Sequence, residues 1–439
     1  MRQKTRISSW GGTHISGEER LAEKLETEMA PLFRGLGRSY GDSCLPPPSD
    51  QRTVCTVLAD RILSFDETSG VLCAEAGLSL YELNRLFLPR CFFVPVTPGT
   101  QFVTLGGMVA ADVHGKNHHV DGCFGEHVLA LRLRTGNGLV VSCSKTEHPD
   151  LFFATLGGMG LTGHILEVTF QMRKIPSPWI YQETEQIPNL DSMLVALDDA
   201  ARKFPMTMAW IDCLTDGNMM GRGVLFRGRF ATPKEAKPGT PKPAIRLRIP
   251  FQFPAWAMHE QIVRAFNAAI YHTHWPKTKK GIVSPEKFFY PLDAIRDWNR
   301  MYGRQGFTQH QAVLPASEGR GAVRRFLEIL TSLRAASFLC VIKDCGKQGS
   351  GMLSFPMQGT SIALDLPLRA NTQETIDRLN EAVIREGGRV YLAKDTLTRA
   401  KDFAQMENRL SAFQKIRERW DPDQNIRSAQ SVRLFGDRP

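Results

Sequence analysis

The sequence contains no uncharged apolar run long enough to cross a bilayer, so no membrane-spanning helix is expected. Its first residues, MRQKTRISSWGGTH, are polar and lack the apolar core of a secretory signal. The nine cysteines form no Cys-x-x-Cys pair, and their odd number argues against a disulfide framework and against a zinc site. They are expected to be small buried apolar residues in a reducing, cytoplasmic setting. Internal repeats are missing. So are a Walker-type lysine behind a glycine loop and carboxylates at metal-ligating intervals, and no metal is expected.

What is present is an ordinary globular composition with a basic excess. The 439 residues are 42% hydrophobic, carry a net charge of +10, and suggest two or three domains. A basic balance favours anionic partners: nucleotide cofactors, phosphorylated substrates, acidic lipid or nucleic acid. Nucleic acid is disfavoured, because no helix-turn-helix or zinc finger accompanies the charge and much of it lies in one stretch. In residues 222–254, Arg222, Arg227, Arg229, Lys234, Lys237, Lys242, Arg246 and Arg248 face a single acid, Glu235, among many prolines. A mobile basic loop is expected over about 231–247. It could lean on anionic lipid headgroups, with Phe251, Phe253 and Trp256 nearby, or simply be solvated.

Ser16 and Glu19 stand at capping-box spacing, and Leu21, Leu25 and Met29 follow at helical intervals, so a helix is expected there. LFRG and TVCTVL (53–58) read as strands, and Ile62–Phe65 with Val71–Glu75 as a strand pair. Ser79 and Glu82 open a second helix, to about Leu88. The turn TGNG joins Val128–Arg134 to Leu139–Cys143 in a hairpin. Strands and helices mix without a regular strand–helix–strand order, which points to an α+β fold and away from a doubly wound sheet. Beyond about Met172 the aromatic content rises and long strands appear, including MAWIDC (208–213) and TSIALDLP (360–367).

Three glycine-rich stretches carry the chemistry. In GLGRSYGD (35–42) the third glycine, Gly41, comes one place late for a Rossmann fingerprint, and DSCLPPPSD cannot continue as a helix. A surface turn and a loop whose amides cradle a pyrophosphate are both open to such a cluster taken alone. A second stretch, 97–128, holds six glycines among small residues, and LGGMGLTGHI (156–165) follows the helical HPDLFFAT. Repeated small residues suit close approach of backbone to a large dinucleotide. His114, His118 and His119 in HGKNHH invite a metal reading, but Gly115 and Asn117 disfavour the helix that an i, i+4 ligand pair needs. Gln309 and Gln311, two apart on a strand, share one face, where they suit sugar hydroxyls, a flavin edge or solvent equally.

These stretches resemble the FAD-binding half of the vanillyl-alcohol-oxidase superfamily, and within it the oxidases of polyprenylphosphoryl ribose. GLGRSYGD, FVPVTPGT, DVHGKNHH, GGMGLTG, WNRMYGRQGF, LSFP and YLAKD recur in order along nearly the whole chain. The resemblance implies a PCMH-type FAD-binding domain over 1–173, an antiparallel-sheet substrate domain over 174–387, and a C-terminal segment, 388–439, that returns to the first. It implies an FAD-dependent oxidoreductase acting on CH–OH groups, which oxidises the 2-hydroxyl of a polyprenylphosphoryl-β-D-ribofuranose to the 2-keto sugar. That is the first half of an epimerisation toward an arabinose donor for cell-wall synthesis, and an NAD(P)H-dependent short-chain reductase would complete it. Peripheral contact with the inner membrane would follow from such a substrate. The alternative is an alditol or aldonolactone oxidase that uses a free polyol and O₂.

By the same resemblance FAD contacts Arg34, Gly35, Leu36, Gly37, Arg38, Ser39, Tyr40, Gly41 and Asp42. It also contacts Gly99, Thr104, Leu105, Gly106, Gly107, Ala111, Asp112, His114, Gly115, His164, Ile165 and Tyr391. Arg38 stands where many relatives carry the histidine bonded to flavin, so FAD is expected to be non-covalent. Lys116, Trp210, Gln309, Gln311, Lys343, Ser361 and Ala363 are the expected substrate residues. Lys394, His114, Gln311 and Lys343 are the expected catalytic ones, with Lys394 either accepting the carbinol proton or stabilising the charge of a reduced flavin. Ser361 and Ala363 replace an Asn and a Cys of the family, and Met208 and Cys340 also depart from its pattern near the substrate.

Overall fold

The alternating TRIS and HISGEERL segments form an antiparallel hairpin, and their neighbours build a small sheet around it. The computed structural model describes residues 4–244, 246–274, 276–335 and 337–439. Strands β1 (Thr5–Ser8), β2 (His14–Leu21), β3 (Leu32–Arg34) and β4 (Arg52–Cys55) form a four-stranded sheet in the order β1-β2-β4-β3. The expected first helix is therefore a correction: β2 occupies its start, and only a 3-10 turn, Leu25–Thr27, follows. The extended backbone of β2 is paired on both edges, antiparallel with β1 and parallel with β4, and this outweighs helical spacing. The supposed apolar stripe is mostly in water, with Leu21 56% and Met29 65% exposed.

The strands β5 (Ile62–Asp66), β6 (Val71–Glu75), β8 (Val128–Arg134), β9 (Val140–Ser144) and β10 (His164–Gln171) make a five-stranded sheet in the order β5-β6-β10-β8-β9. A short pair, β7 (Phe92–Phe93) with β11 (Arg173–Lys174), lies at the end of this unit. The helix Leu80–Phe87 begins where Ser79 caps it, its hydroxyl accepting from the Glu82 amide. It packs Leu80, Leu83 and Phe87 into a core shared with β6, β8 and β10.

An eight-stranded antiparallel sheet dominates the rest, in the order β16-β12-β14-β13-β19-β20-β18-β21. Its strands are β12 (Ile180–Ile187), β13 (Met206–Ile211), β14 (Gly223–Phe230), β16 (Thr278–Val283), β18 (Phe307–Pro315), β19 (Cys340–Cys345), β20 (Gly359–Pro367) and β21 (Arg389–Val390). Helices Leu190–Lys203, Gly319–Ser332 and Thr372–Arg385 cover one face of this sheet and form the largest apolar core with it. The opposite face looks toward the glycine-rich segments. A parallel pair, β15 (Leu247–Arg248) with β17 (Ile295–Arg296), stands at its margin. The whole is the mixed α+β architecture that the sequence implies, and none of the described helices is long and apolar enough to cross a membrane.

The basic stretch is irregular from Ala231 to Ala244, while Ile245 lies outside the described residues. Its charge is less free than the local sequence implies, because acids from distant segments reach it. Arg222 pairs with Asp212, Arg227 with Glu183 and Glu185, Arg246 with Glu286, and Arg248 with Asp297.

Candidate active site

Residues that alternate along the strands of the large sheet reach its open face together. Across it runs one register row: Gln311 of β18 faces Ala363 of β20, Ala363 faces Val341 of β19, Val341 faces Trp210 of β13, and Trp210 faces Val224 of β14. Lys343 and Ser361 pair in the next row. All of these line a single cavity of about 930 Å³. The same alternation corrects one expectation: Cys340, one residue out of phase with Val341, is fully buried in the core under the helices, away from this cavity.

The far wall is made by the glycine segments. Arg34, Gly35, Leu36, Gly37, Arg38, Ser39 and Tyr40 line it, with Gly99, Thr104, Gly106 and Gly107 beside them. A Cβ on Gly35 would lie 2.3 Å from the Thr104 hydroxyl oxygen, so these two loops touch. Gly37 has φ +61°, a conformation that glycine adopts without strain. Ala111, His114, Gly115, His164, Ile165 and Tyr391 continue the wall.

Four of the residues expected at the cofactor stand off this wall. Asp42 is bound by Arg433, which donates to both its carboxylate oxygens at 2.8 Å. Gly41 packs so closely on the following segment that a Cβ would fall 1.7 Å from the Asp395 carbonyl oxygen. Leu105 is fully buried in the core beneath the five-stranded sheet. Asp112 points inward to accept from the Gly125 amide at 2.7 Å and from the Ser354 hydroxyl. Burial holds its carboxyl up at about 6.

At the polar end the Gln311 amide donates to His114 Nε2 at 3.0 Å and to Ser361 Oγ at 3.2 Å. Burial, reinforced by Lys343, His118 and Lys394, pushes His114 well below its ordinary value. Its ring is therefore neutral, Nε2 accepts, and the proton resides on Nδ1, which has no partner among the described residues. His118 and His119 point elsewhere. His118 Nδ1 accepts from the Gly346 amide, and His119 Nε2 meets the Phe204 carbonyl. His164 is held by the Ala30 carbonyl and stacked on Phe33 at 3.7 Å.

Three lysines line the cavity: Lys116, Lys343 and Lys394. Lys116 donates to the Phe289 carbonyl at 3.1 Å, and burial followed by repulsion from Lys343 lowers it to about 7. Burial also lowers Lys343. The Lys394 ammonium sits 3.6 Å from the centroid of the Tyr40 ring. Burial brings it down to about 7, with Asp365 opposing the shift and Lys343 adding to it. Sequence reasoning passed over Asp365, which accepts from Tyr302 Oη at 2.9 Å and from Gln309 Nε2 at 2.5 Å. The signal was there: in TSIALDLP it shares the strand phase of Ser361 and Ala363. Trp10 was also missed, and no local pattern marks it. It reaches the wall from the first hairpin and lies under Arg38, whose guanidinium carbon is 4.2 Å from the ring centroid.

The FAD binding domain family matches residues 20–144. The decaprenylphosphoryl-β-D-ribose oxidase of Mycolicibacterium smegmatis is 33% identical over 92% of this chain and 88% of its own. The chain belongs to the decaprenylphosphoryl-β-D-ribose oxidase family. An uncharacterised Streptomyces coelicolor protein is 30% identical over 81% of this chain and all of its own length. A putative D-arabinono-1,4-lactone oxidase of Neurospora crassa is 31% identical, but over only 37% of this chain and 31% of its own.

Like its family, the protein is an FAD-dependent oxidoreductase, and the wall fits that cofactor. The amides of Leu36, Gly37, Arg38 and Ser39 donate to nothing among the described residues, as a cradle for phosphate oxygens would. Arg38 beside them makes no ion pair with any described carboxylate, and its buried Nε is without a partner.

Proposed function

We propose that the protein oxidises the 2-hydroxyl of a polyprenylphosphoryl-β-D-ribofuranose to the 2-keto sugar, with dissociable FAD as the acceptor. In this reading residues 1–173 and 388–439 hold FAD and residues 174–387 hold the sugar. The observation that carries it is the trio of half-buried lysines that line the cavity opposite and beside the glycine segments. Lys116 and Lys343 have no carboxylate partner among the described residues, and an anionic substrate would offset their partial desolvation. A neutral polyol would not. The name of the Mycolicibacterium smegmatis relative supplies the class of anion.

Bound FAD supplies the acceptor for the hydride that leaves the carbinol carbon. Arg38 and the amides of residues 36–39 would hold its pyrophosphate, with Gly99, Gly106 and Gly107 giving the backbone room. Lys394, lowered to about 7, takes the hydroxyl proton as the carbonyl forms. Gln311 and Ser361 orient the sugar from the sheet, and neutral His114 offers Nδ1–H as a donor. Lys343 and Lys116 meet the phosphate.

The 2-keto product calls for a separate NAD(P)H-dependent reductase to complete an epimerisation. Exposed Leu247, Phe251 and Trp256, with Arg248 beside them, support peripheral contact with an anionic membrane surface. The decisive experiment is anaerobic absorbance of the purified protein, with xylitol as the control. The flavin band should bleach with polyprenylphosphoryl ribose and not with xylitol. Bleaching by xylitol alone would move the enzyme to the polyol oxidases, and a colourless protein that FAD cannot reconstitute would end the flavin reading.

A further inference from the structure

The register row across the large sheet changes character along its length. Gln311 at one end is polar and bound to His114; Val341, Trp210 and Val224 toward the other are apolar. Five strands at a spacing of about 4.8 Å make this row about 19 Å long, so the cavity has a polar end and an apolar limb. Beyond Val224 the limb is roofed by the helix Glu260–His272, which turns Val263 and Asn267 into the protein. Phe266 and Ile270 of that helix line the cavity, and Phe266 meets Phe338 edge-on with ring centroids 4.8 Å apart.

Ile262, Phe266 and Ile270 recur every fourth residue and form one stripe on this helix. Phe266 is 44% and Ile262 39% exposed, so the stripe runs from the cavity to the outside without being covered by the described residues. Eight helical rises, from Ile262 to Ile270, make it about 12 Å long. An apolar track that starts beside the cavity's lysines and ends in the open fits an amphiphile, head inward and chain outward.

We propose that this track, from Trp210 and Val224 along Phe266 and Ile270 to Ile262, seats the first isoprene units of a polyprenyl phosphate. The proposal rests on reading the substrate as a lipid-linked sugar phosphate. It assigns the chain a binding role of its own, so affinity should grow with the first isoprene units and not come from sugar and phosphate alone.

The test is calorimetric titration of the FAD-loaded enzyme with farnesyl phosphate and, for comparison, methyl phosphate. Farnesyl phosphate should bind at least about tenfold tighter, since burial of each isoprene unit contributes on that scale. Phe266→Glu should remove most of this difference while the flavin spectrum and melting midpoint stay intact. Ile262→Glu, on the outermost turn, provides a second variant that cannot disturb the core. Equal affinities for the two phosphates, or farnesyl phosphate binding unaltered in both variants, would overturn the proposal. Turnover separates it from the reading it rests on. Farnesyl phosphate held by the track in an enzyme that oxidises no ribose lipid would sustain the track and end the sugar reading. Equal efficiency with methyl- and farnesyl-phosphoryl ribose would sustain the oxidation and end the track.

Discussion

A lysine serves as a proton acceptor near neutral pH only if its surroundings hold it between extremes. Burial and the Lys343 charge drive the Lys394 ammonium down, and Asp365 pulls it back toward its ordinary value. Asp365 is itself fixed by the Tyr302 hydroxyl and the Gln309 amide, so the counter-charge cannot swing away. Its carboxyl is held at about 6, chiefly by burial. The sign for the reaction follows. Lys394 accepts a proton only when neutral, so the rate of flavin reduction should rise through a pH near 7 and level above it. Asp365→Asn removes the influence that raises Lys394, and the rising limb should move to lower pH, with a smaller effect on substrate KM. A limb that stays in place would show that Asp365 does not tune this lysine. Lys394→Met should abolish the limb and cost at least about a hundredfold in rate. Side chains of this kind were only partly legible in the sequence. Strand alternation predicts that Gln309 and Gln311 share a face, and it equally marks Asp365 with Ser361 and Ala363. It does not reveal that Gly41 and Asp42 serve packing against Asp395 and Arg433, because those contacts join residues hundreds of positions apart.

Elements follow the sequence best where their hydrogen bonds are local. The hairpin of β8 and β9 and the helix capped by Ser79 stand where TGNG and the capping pair place them. The segment Ser16–Met29 was misread because two partner strands, one of them about thirty residues downstream, decide its backbone. A similar long-range tie secures the wall of the site. The C-terminal helix Ala429–Phe435 carries Arg433, which donates to Asp42 behind the first glycine loop and to Asp395 next to Lys394. These carboxylates are 12% and 6% exposed, so losing the arginine would leave them buried and uncompensated. Arg433→Ala should therefore destabilise the fold by about 3 kcal/mol and shift the urea midpoint down. It should also speed release of FAD, because the loop and the Lys394 segment lose their common anchor. Unchanged urea unfolding together with unchanged FAD release would show that the C-terminal helix does not brace the site.

At the scale of the molecule, the cofactor site is assembled from segments that meet only in the folded state. The loop at 34–40, the run from Gly99 to Gly115, the segment His164–Ile165 and Tyr391 each bring part of one wall. No single segment holds it, so FAD should act as a ligand of the native state alone and raise the unfolding temperature in proportion to the logarithm of its free concentration. The position of Arg38 decides whether this coupling is reversible. A guanidinium on Trp10 offers charge to a pyrophosphate but forms no bond to an isoalloxazine carbon. Acid precipitation should leave all the yellow colour in the supernatant and a colourless pellet. Adding FAD to the stripped, refolded protein should restore both the spectrum and the higher melting temperature. Arg38→Ala should weaken this recovery by about tenfold or more in FAD affinity, the loss of one charge-assisted contact. Colour retained in the pellet would mean a covalent link at some other side chain, and the melting temperature would then be independent of added FAD.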